Sequence, residues 1–290
     1  MPRLGGLLFW VVPSLIALFF YWLAKTTEIP LFDKLNFLSR NQTWLPFFAM
    51  VAGAILGLID DLLQIYGKGT YRGGGLALSR RIFFVLLIAS AGAYWFYFKL
   101  GFETIYVPGF GDLYINGLYI PLFIITMLGV FSGGVIDGVD GLAGGVFASI
   151  FAAYAGIAFF GNPPQIDIAT FAAVILGALL AFLWFNIPPA RFYMGETGML
   201  GLTTAITVIA FLTDSIIVLP IIAFLLVAET ASVIIQFSAK KWLGKKIFLV
   251  APIHHHFEAI GWPSHKVTMR FWIISVVTAI IGMVVALIGR

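Results

Sequence analysis

Residues 271–288 read Phe271-Trp272-Ile273-Ile274-Ser275-Val276-Val277-Thr278-Ala279-Ile280-Ile281-Gly282-Met283-Val284-Val285-Ala286-Leu287-Ile288, a stretch without one charged side chain. A run of about 20 such residues is what a helix needs to cross the hydrocarbon core of a bilayer. The pattern recurs along the chain. Candidate spans fall at roughly 5–24, 43–60, 82–100, 119–136, 142–160, 168–185, 198–213, 215–237 and 269–288, the narrowest division being Thr213-Asp214 between the seventh and eighth. Residues 101–118 break the pattern with Val107-Pro108-Gly109-Phe110-Gly111 between β-branched and aromatic residues, which predicts a short hairpin.

Composition agrees. Of the 290 residues 61 % are hydrophobic and 10 % charged, and mean hydropathy is +1.03, against the roughly 25 % charged residues of soluble domains. The expected fold is all-α: a polytopic integral membrane protein of about nine helices with one periplasmic hairpin, forming a single domain over residues 1–290. The chain has no cysteine, which excludes disulfides, thiolate metal sites and a cysteine nucleophile. No nucleic-acid partner is expected. The first apolar run lacks a cleavage signal after Met1-Pro2-Arg3 and is expected to be retained as a span.

Nine crossings put the two termini on opposite sides. Arg3, Lys68, Arg72, Arg80, Arg81, Arg191, Lys240, Lys241, Lys245, Lys246, Lys266 and Arg270 then share one face, and Lys25, Lys34, Arg40, Lys99 and Arg290 the other. The basic excess marks the first face as cytoplasmic. The same face receives every acidic or histidine motif: Asp60-Asp61, Asp137 with Asp140, Glu196 and His254-His255-His256. Four clusters on one side point to one site.

Each cluster has its own chemistry. Asp60 and Asp61 are adjacent carboxylates at a helix end, suited to a metal or to a base acting on a phosphate, and also compatible with an ordinary polar helix end. Asp137-Gly138-Val139-Asp140-Gly141-Leu142-Ala143-Gly144-Gly145 surrounds two acids with glycines, through which backbone N–H groups can approach a phosphate; a tight interhelical turn has the same composition. The segment from Asn186 to Gly198 combines Pro188-Pro189, Arg191, Phe192-Tyr193 and Glu196, fitting a loop that stacks a base and holds a cation. Three adjacent imidazoles can donate hydrogen bonds, carry charge or ligate a metal. Glu229 lies inside the eighth span, where an acid marks either a functional site or a helix–helix hydrogen bond.

Taken in order, Gly5-Gly6, Asp60-Asp61, the Asp-Gly-x-Asp-Gly-Leu-Ala run, Asn186 with Met194-Gly195-Glu196-Thr197-Gly198, and Ala251 through Glu258 with Gly261-Trp262 resemble the bacterial phospho-N-acetylmuramoyl-pentapeptide transferases. The histidine box with its flanking Ala-Pro-Ile and Phe-Glu is the most specific element; the other motifs are shared with the wider superfamily of polyprenyl-phosphate sugar-1-phosphate transferases. The resemblance implies transfer of phospho-MurNAc-pentapeptide from UDP-MurNAc-pentapeptide to undecaprenyl phosphate, giving lipid I and UMP with Mg2+, at the cytoplasmic face of the bacterial inner membrane. A homodimer is the assembly it implies. Carried over by position, Asp60, Asp61, Asp137, His254, His255 and His256 are catalytic, with Asp60 as the base. Asn186, Tyr193, Asp140, Arg80 and Arg81 contact substrate, and Glu196 stands where the family has its magnesium-binding aspartate. Arg80, Arg81, Lys245 and Lys246 would also meet anionic membrane lipids.

Three features depart from the family pattern. One further span usually precedes the Gly-Gly motif, Gly134 stands where an asparagine is usual, and Glu196 is one methylene longer than the aspartate. A UDP-GlcNAc-dependent relative and a non-catalytic member are the alternative readings.

Overall fold

The computed structural model describes residues 4–39, 41–69 and 74–289. Arg3, Arg40, Arg72 and Arg290, four of the side chains used to orient the chain, lie outside them. Among the described residues, eight helices are long and apolar enough to cross a membrane: Leu4–Thr26, Trp44–Ile65, Leu78–Lys99, Asn116–Ile136, Leu142–Phe160, Ile166–Asn186, Gly195–Leu212 and Ser264–Ile288. Together with a broken ninth span they make this a polytopic all-α membrane protein.

The helices used below are α1 (Leu7–Thr26), α2 (Pro30–Leu35), α3 (Trp44–Ile65), α4 (Leu78–Tyr94), α5 (Tyr119–Ser132), α6 (Leu142–Phe160), α7 (Ile166–Asn186), α8 (Gly195–Leu212), α9 (Leu219–Ile222), α10 (Phe224–Trp242), α11 (Ile253–Ala259) and α12 (Ser264–Ile288). The expected single helix over 215–237 is the correction. α9 and α10 meet at a bend of 78°. Ala223 leaves helical geometry there, at φ −99° and ψ 33°.

At the centre stands α8, every residue from Thr197 to Leu212 buried. Its small residues let neighbours come close, as at helix contacts in membranes. A methyl group at Gly57 of α3 would overlap the backbone of Glu196. Threonine hydroxyls in α8 bond back to their own helix, Thr203 to the Met199 carbonyl at 2.8 Å and Thr207 to the Thr203 carbonyl at 2.9 Å, which satisfies them inside the core. Outer helices instead turn Leu15, Phe19, Trp22, Phe83, Leu87, Ile273 and Ile280 outward, as lipid contact requires.

The hairpin pairs β1 (Thr104–Val107) antiparallel with β2 (Gly111–Tyr114), in register from Thr104 opposite Tyr114 to Val107 opposite Gly111. The Tyr106 N–H donates to Asp214 at 3.0 Å, which fastens the hairpin to the turn between α8 and the bent span. At the other end, the Gly5 and Gly6 N–H groups donate to the Tyr193 and Met194 carbonyls at 3.0 and 2.8 Å. That holds the start of α1 on the loop leading into α8.

Candidate active site

Asp60 and Asp61 close the buried end of α3, 0 % and 1 % exposed. Asp61 accepts from two consecutive backbone N–H groups at the start of α8, Glu196 at 3.0 Å and Thr197 at 2.9 Å. Those donors have no partner inside their own helix, and a negative charge at a helix N-terminus is favourable. A carboxylate from α3 therefore caps α8. Asp60 faces the other way: Arg81 pairs with it at 2.8 Å, Gln64 donates to it at 2.7 Å, and the Leu76 N–H folds back onto it. Arg81 also pairs with Glu196, so one guanidinium spans two carboxylates contributed by α3 and α8. Its forked geometry is what permits this.

A cavity of about 450 Å³ opens beside these groups, lined by Asp61, Gln64, Gly134, Asp137, Tyr193 and Glu196 among others. Asp137 accepts a backbone hydrogen bond from Gly195. The protein mass around it, and next the charge of Glu196, push the Asp137 carboxyl up to about 7, although the side chain itself stands open to the cavity.

The histidine box forms α11, and its three imidazoles have three environments. His254 is fully buried, with Nδ1 3.0 Å from the Glu229 carboxylate of α10. His255 places Nδ1 2.6 Å from Glu258, whose other oxygen accepts from Ser264. Burial tends to raise the Glu258 carboxyl, but bonds from Ser264 and His255 outweigh it and hold it below the usual carboxylate range. His256 turns away and accepts the Leu249 N–H at Nδ1, 3.2 Å. Gly138, next to Asp137, explains the glycine there. A Cβ would overlap His254 Nε2 and lie 3.1 Å from His255 Nε2, so both ring nitrogens reach the backbone that forms the cavity wall.

Other expected site residues take supporting positions. The Asn186 side chain accepts the Gly141 N–H at 3.0 Å and donates to the Phe192 carbonyl at 2.8 Å, and Asp140 accepts the Ala190 N–H at 3.0 Å. Both brace the loops that carry Asp137 and Tyr193. Arg80 is exposed and is not among the cavity residues. Gln64 was not singled out from sequence, since nothing in its local pattern distinguishes it; Gly138 and Glu258 were noted only as parts of the glycine run and the histidine box, and Glu229 as an acid inside a span.

The family model described as glycosyl transferase family 4 matches residues 43–214, which hold Asp60, Asp61, Asp137 and Glu196. A phospho-N-acetylmuramoyl-pentapeptide-transferase of Oceanobacillus iheyensis is 37 % identical over 288 residues, covering 97 % of this chain and 82 % of the relative. The protein of the same name from Levilactobacillus brevis is 36 % identical over 290 residues, covering 99 % and 84 %. The chain belongs to the phospho-N-acetylmuramoyl-pentapeptide-transferase family. A third member, from Geobacillus sp. strain WCH70, is 40 % identical over 246 residues, covering 83 % of this chain and 74 % of its own length. The similarity to the first two covers nearly the whole chain and so extends past the matched domain into the bent span, the histidine box and α12.

Proposed function

We propose that the chain transfers phospho-MurNAc-pentapeptide from UDP-MurNAc-pentapeptide to undecaprenyl phosphate, forming lipid I and UMP at the cytoplasmic face of the bacterial inner membrane. One observation carries the reading: the acid-lined cavity lies beside an apolar groove open to lipid. The groove, about 310 Å³, runs between α5 and the bent span and is lined by Leu122, Gly129, Val130, Ile217, Ala223 and Leu226. Leu226 also packs on Gly133, whose neighbour Gly134 lines the cavity. The groove would take part of an isoprenoid chain, on the side of the cavity where Gly133 and Gly134 lead to the acids. The name shared by the relatives supplies the donor.

In the reaction an oxygen of the lipid phosphate attacks the phosphorus bearing the sugar, the bond from that phosphorus to the bridging oxygen breaks, and UMP leaves. Several negative charges meet at once, so the site must hold cationic and hydrogen-bonding groups against them. His254 and His255 bring their Nε2 atoms to the Gly138 wall, where each would donate to the diphosphate in its imidazolium form. Arg81 keeps Asp60 and Glu196 in place, and Asp61 fixes the start of α8 beneath them.

Among the described residues no three His, Asp or Glu side chains form a ready metal cage. That suits Mg2+, which is commonly held by one or two carboxylates, substrate phosphates and water. Asp137 and Glu196 are the side chains that would hold it, and bound magnesium would neutralise charge on the diphosphate.

Product analysis tests the reading. Purified protein in lipid vesicles, given undecaprenyl phosphate with UDP-MurNAc-pentapeptide or UDP-GlcNAc, with and without Mg2+, is expected to yield lipid I and UMP from the first donor only and with Mg2+ only. Lipid-linked GlcNAc without lipid I would overturn the donor. Product in the absence of divalent cation would overturn the metal.

A further inference from the structure

Glu229 sits in the span beyond the bend, 0 % exposed, and among the described residues its carboxylate pairs with His254, itself 0 % exposed. A buried carboxylate facing an imidazole nitrogen is costly to place there and is retained where it sets the state of its partner. An ionised carboxylate only accepts hydrogen bonds, so opposite ionised Glu229 the facing atom, His254 Nδ1, carries the proton. The opposite atom, Nε2, is buried and has no partner among the described residues. Nε2 points at Gly138, beside Asp137. Glu229 is three residues from Leu226 on α10, so the helix that walls the apolar groove also carries the acid.

We propose that Glu229 is a positioning residue: it fixes the tautomer and rotation of His254 so that Nε2 faces the Gly138 wall as a proton acceptor, and on taking up a proton in the reaction it becomes an N–H donor toward the substrate phosphates, with the carboxylate balancing the imidazolium. The role rests on the transferase reading above, whereas the hydrogen-bond state of the pair does not. His256 supplies an internal contrast. Its Nδ1 accepts the Leu249 N–H, so its proton belongs on Nε2, the opposite tautomer from His254.

The chain has four histidines, so ¹⁵N-histidine labelling of the full-length protein in detergent gives a spectrum of four rings. At about pH 9, where imidazoles are neutral, the His254 signal, assigned by its loss in His254→Gln, is expected to show a protonated Nδ1 and His256 a protonated Nε2. In Glu229→Gln the His254 signature is expected to become mixed. The same variant is expected to lose about 100-fold in kcat, as partners that orient a reacting imidazole do. KM for both substrates should stay within about threefold. Because Glu229 acts through His254, the double variant Glu229→Gln/His254→Gln should be no more than about twofold slower than His254→Gln alone.

A wild-type His254 protonated on Nε2 overturns the proposal, and so does a double variant that loses the whole Glu229 factor again. A kcat reduced less than threefold in Glu229→Gln overturns it too. If Glu229→Gln does not fold, the wild-type spectrum alone decides. If wild-type protein makes no lipid-linked product from either donor, the transferase reading fails while the spectrum still reads the pair.

Discussion

Asp61→Asn is expected to unfasten α8 rather than simply remove a reacting group. Both carboxylate oxygens accept buried backbone N–H groups, from Glu196 at 3.0 Å and Thr197 at 2.9 Å. Asparagine offers one oxygen, and its amide nitrogen then faces the second N–H donor. Leaving that donor unsatisfied costs about 1–3 kcal/mol. Losing the negative charge at the helix start costs up to about 2 kcal/mol more in a buried setting. Relief of the desolvation of a buried carboxylate offsets part of this. The net expectation is a loss of about 2–4 kcal/mol, a fall in Tm of roughly 4–8 °C, read by tryptophan fluorescence in detergent without substrate. Activity should fall with it, because Glu196, Tyr193 and the cavity floor hang on the same helix start. An Asp61→Asn protein that melts with the wild type yet cannot turn over would refute this reasoning and make Asp61 a chemical participant.

Arg81→Met removes the cation between Asp60 and Glu196 and is expected to cost about 3 kcal/mol, the order seen when one partner of a buried pair is lost; thermal unfolding checks it, and Arg81→Lys should recover only part, since an ammonium cannot fork. Gly138→Ala is expected to push His254 and His255 off the cavity wall and lower kcat at least tenfold, with Tm within a few degrees, as measured by UMP release. For Asp137 the folded carboxyl is raised from 3.8 to about 7, so the folded state binds the extra proton and wild-type stability falls as pH rises from about 4 to about 7. Asp137→Asn should lack that fall, and chemical unfolding of both proteins across this range without divalent cation checks it. Mg2+ held at Asp137, as proposed, would have to displace the same proton, so its apparent affinity for the wild type should rise as pH climbs through about 7, measurable by titration calorimetry.

The spans were legible because a bilayer demands long apolar runs, and each expected run from 5–24 to 269–288 appears as a helix or a bent pair. The bend at Ala223 was not, since neither glycine nor proline stands there; α9 and α10 are turned by how they pack against α12 and the 133–136 segment. The gathering of acids and histidines at one end followed from counting crossings, and Asp137, Tyr193 and Glu196 do line one cavity. Division of labour inside the cluster lay beyond the pattern. That Asp61 caps a helix 135 positions away, that Arg81 bridges two carboxylates, and that Asn186 ties Gly141 to Phe192 are facts of tertiary approach, which no local spacing encodes. Glu229 was noticed as a misplaced acid; only the fold supplies His254 as the reason for it.

The central claim is that phosphoryl transfer takes place in the cavity presenting Asp137. The most direct measurement compares wild type and Asp137→Asn in vesicles, with lipid I quantified by mass spectrometry and donor affinity by equilibrium binding. The prediction is an affinity for UDP-MurNAc-pentapeptide within about tenfold of wild type and lipid I formation slowed by about 10³-fold or more. Turnover of Asp137→Asn within tenfold of the wild type would contradict it.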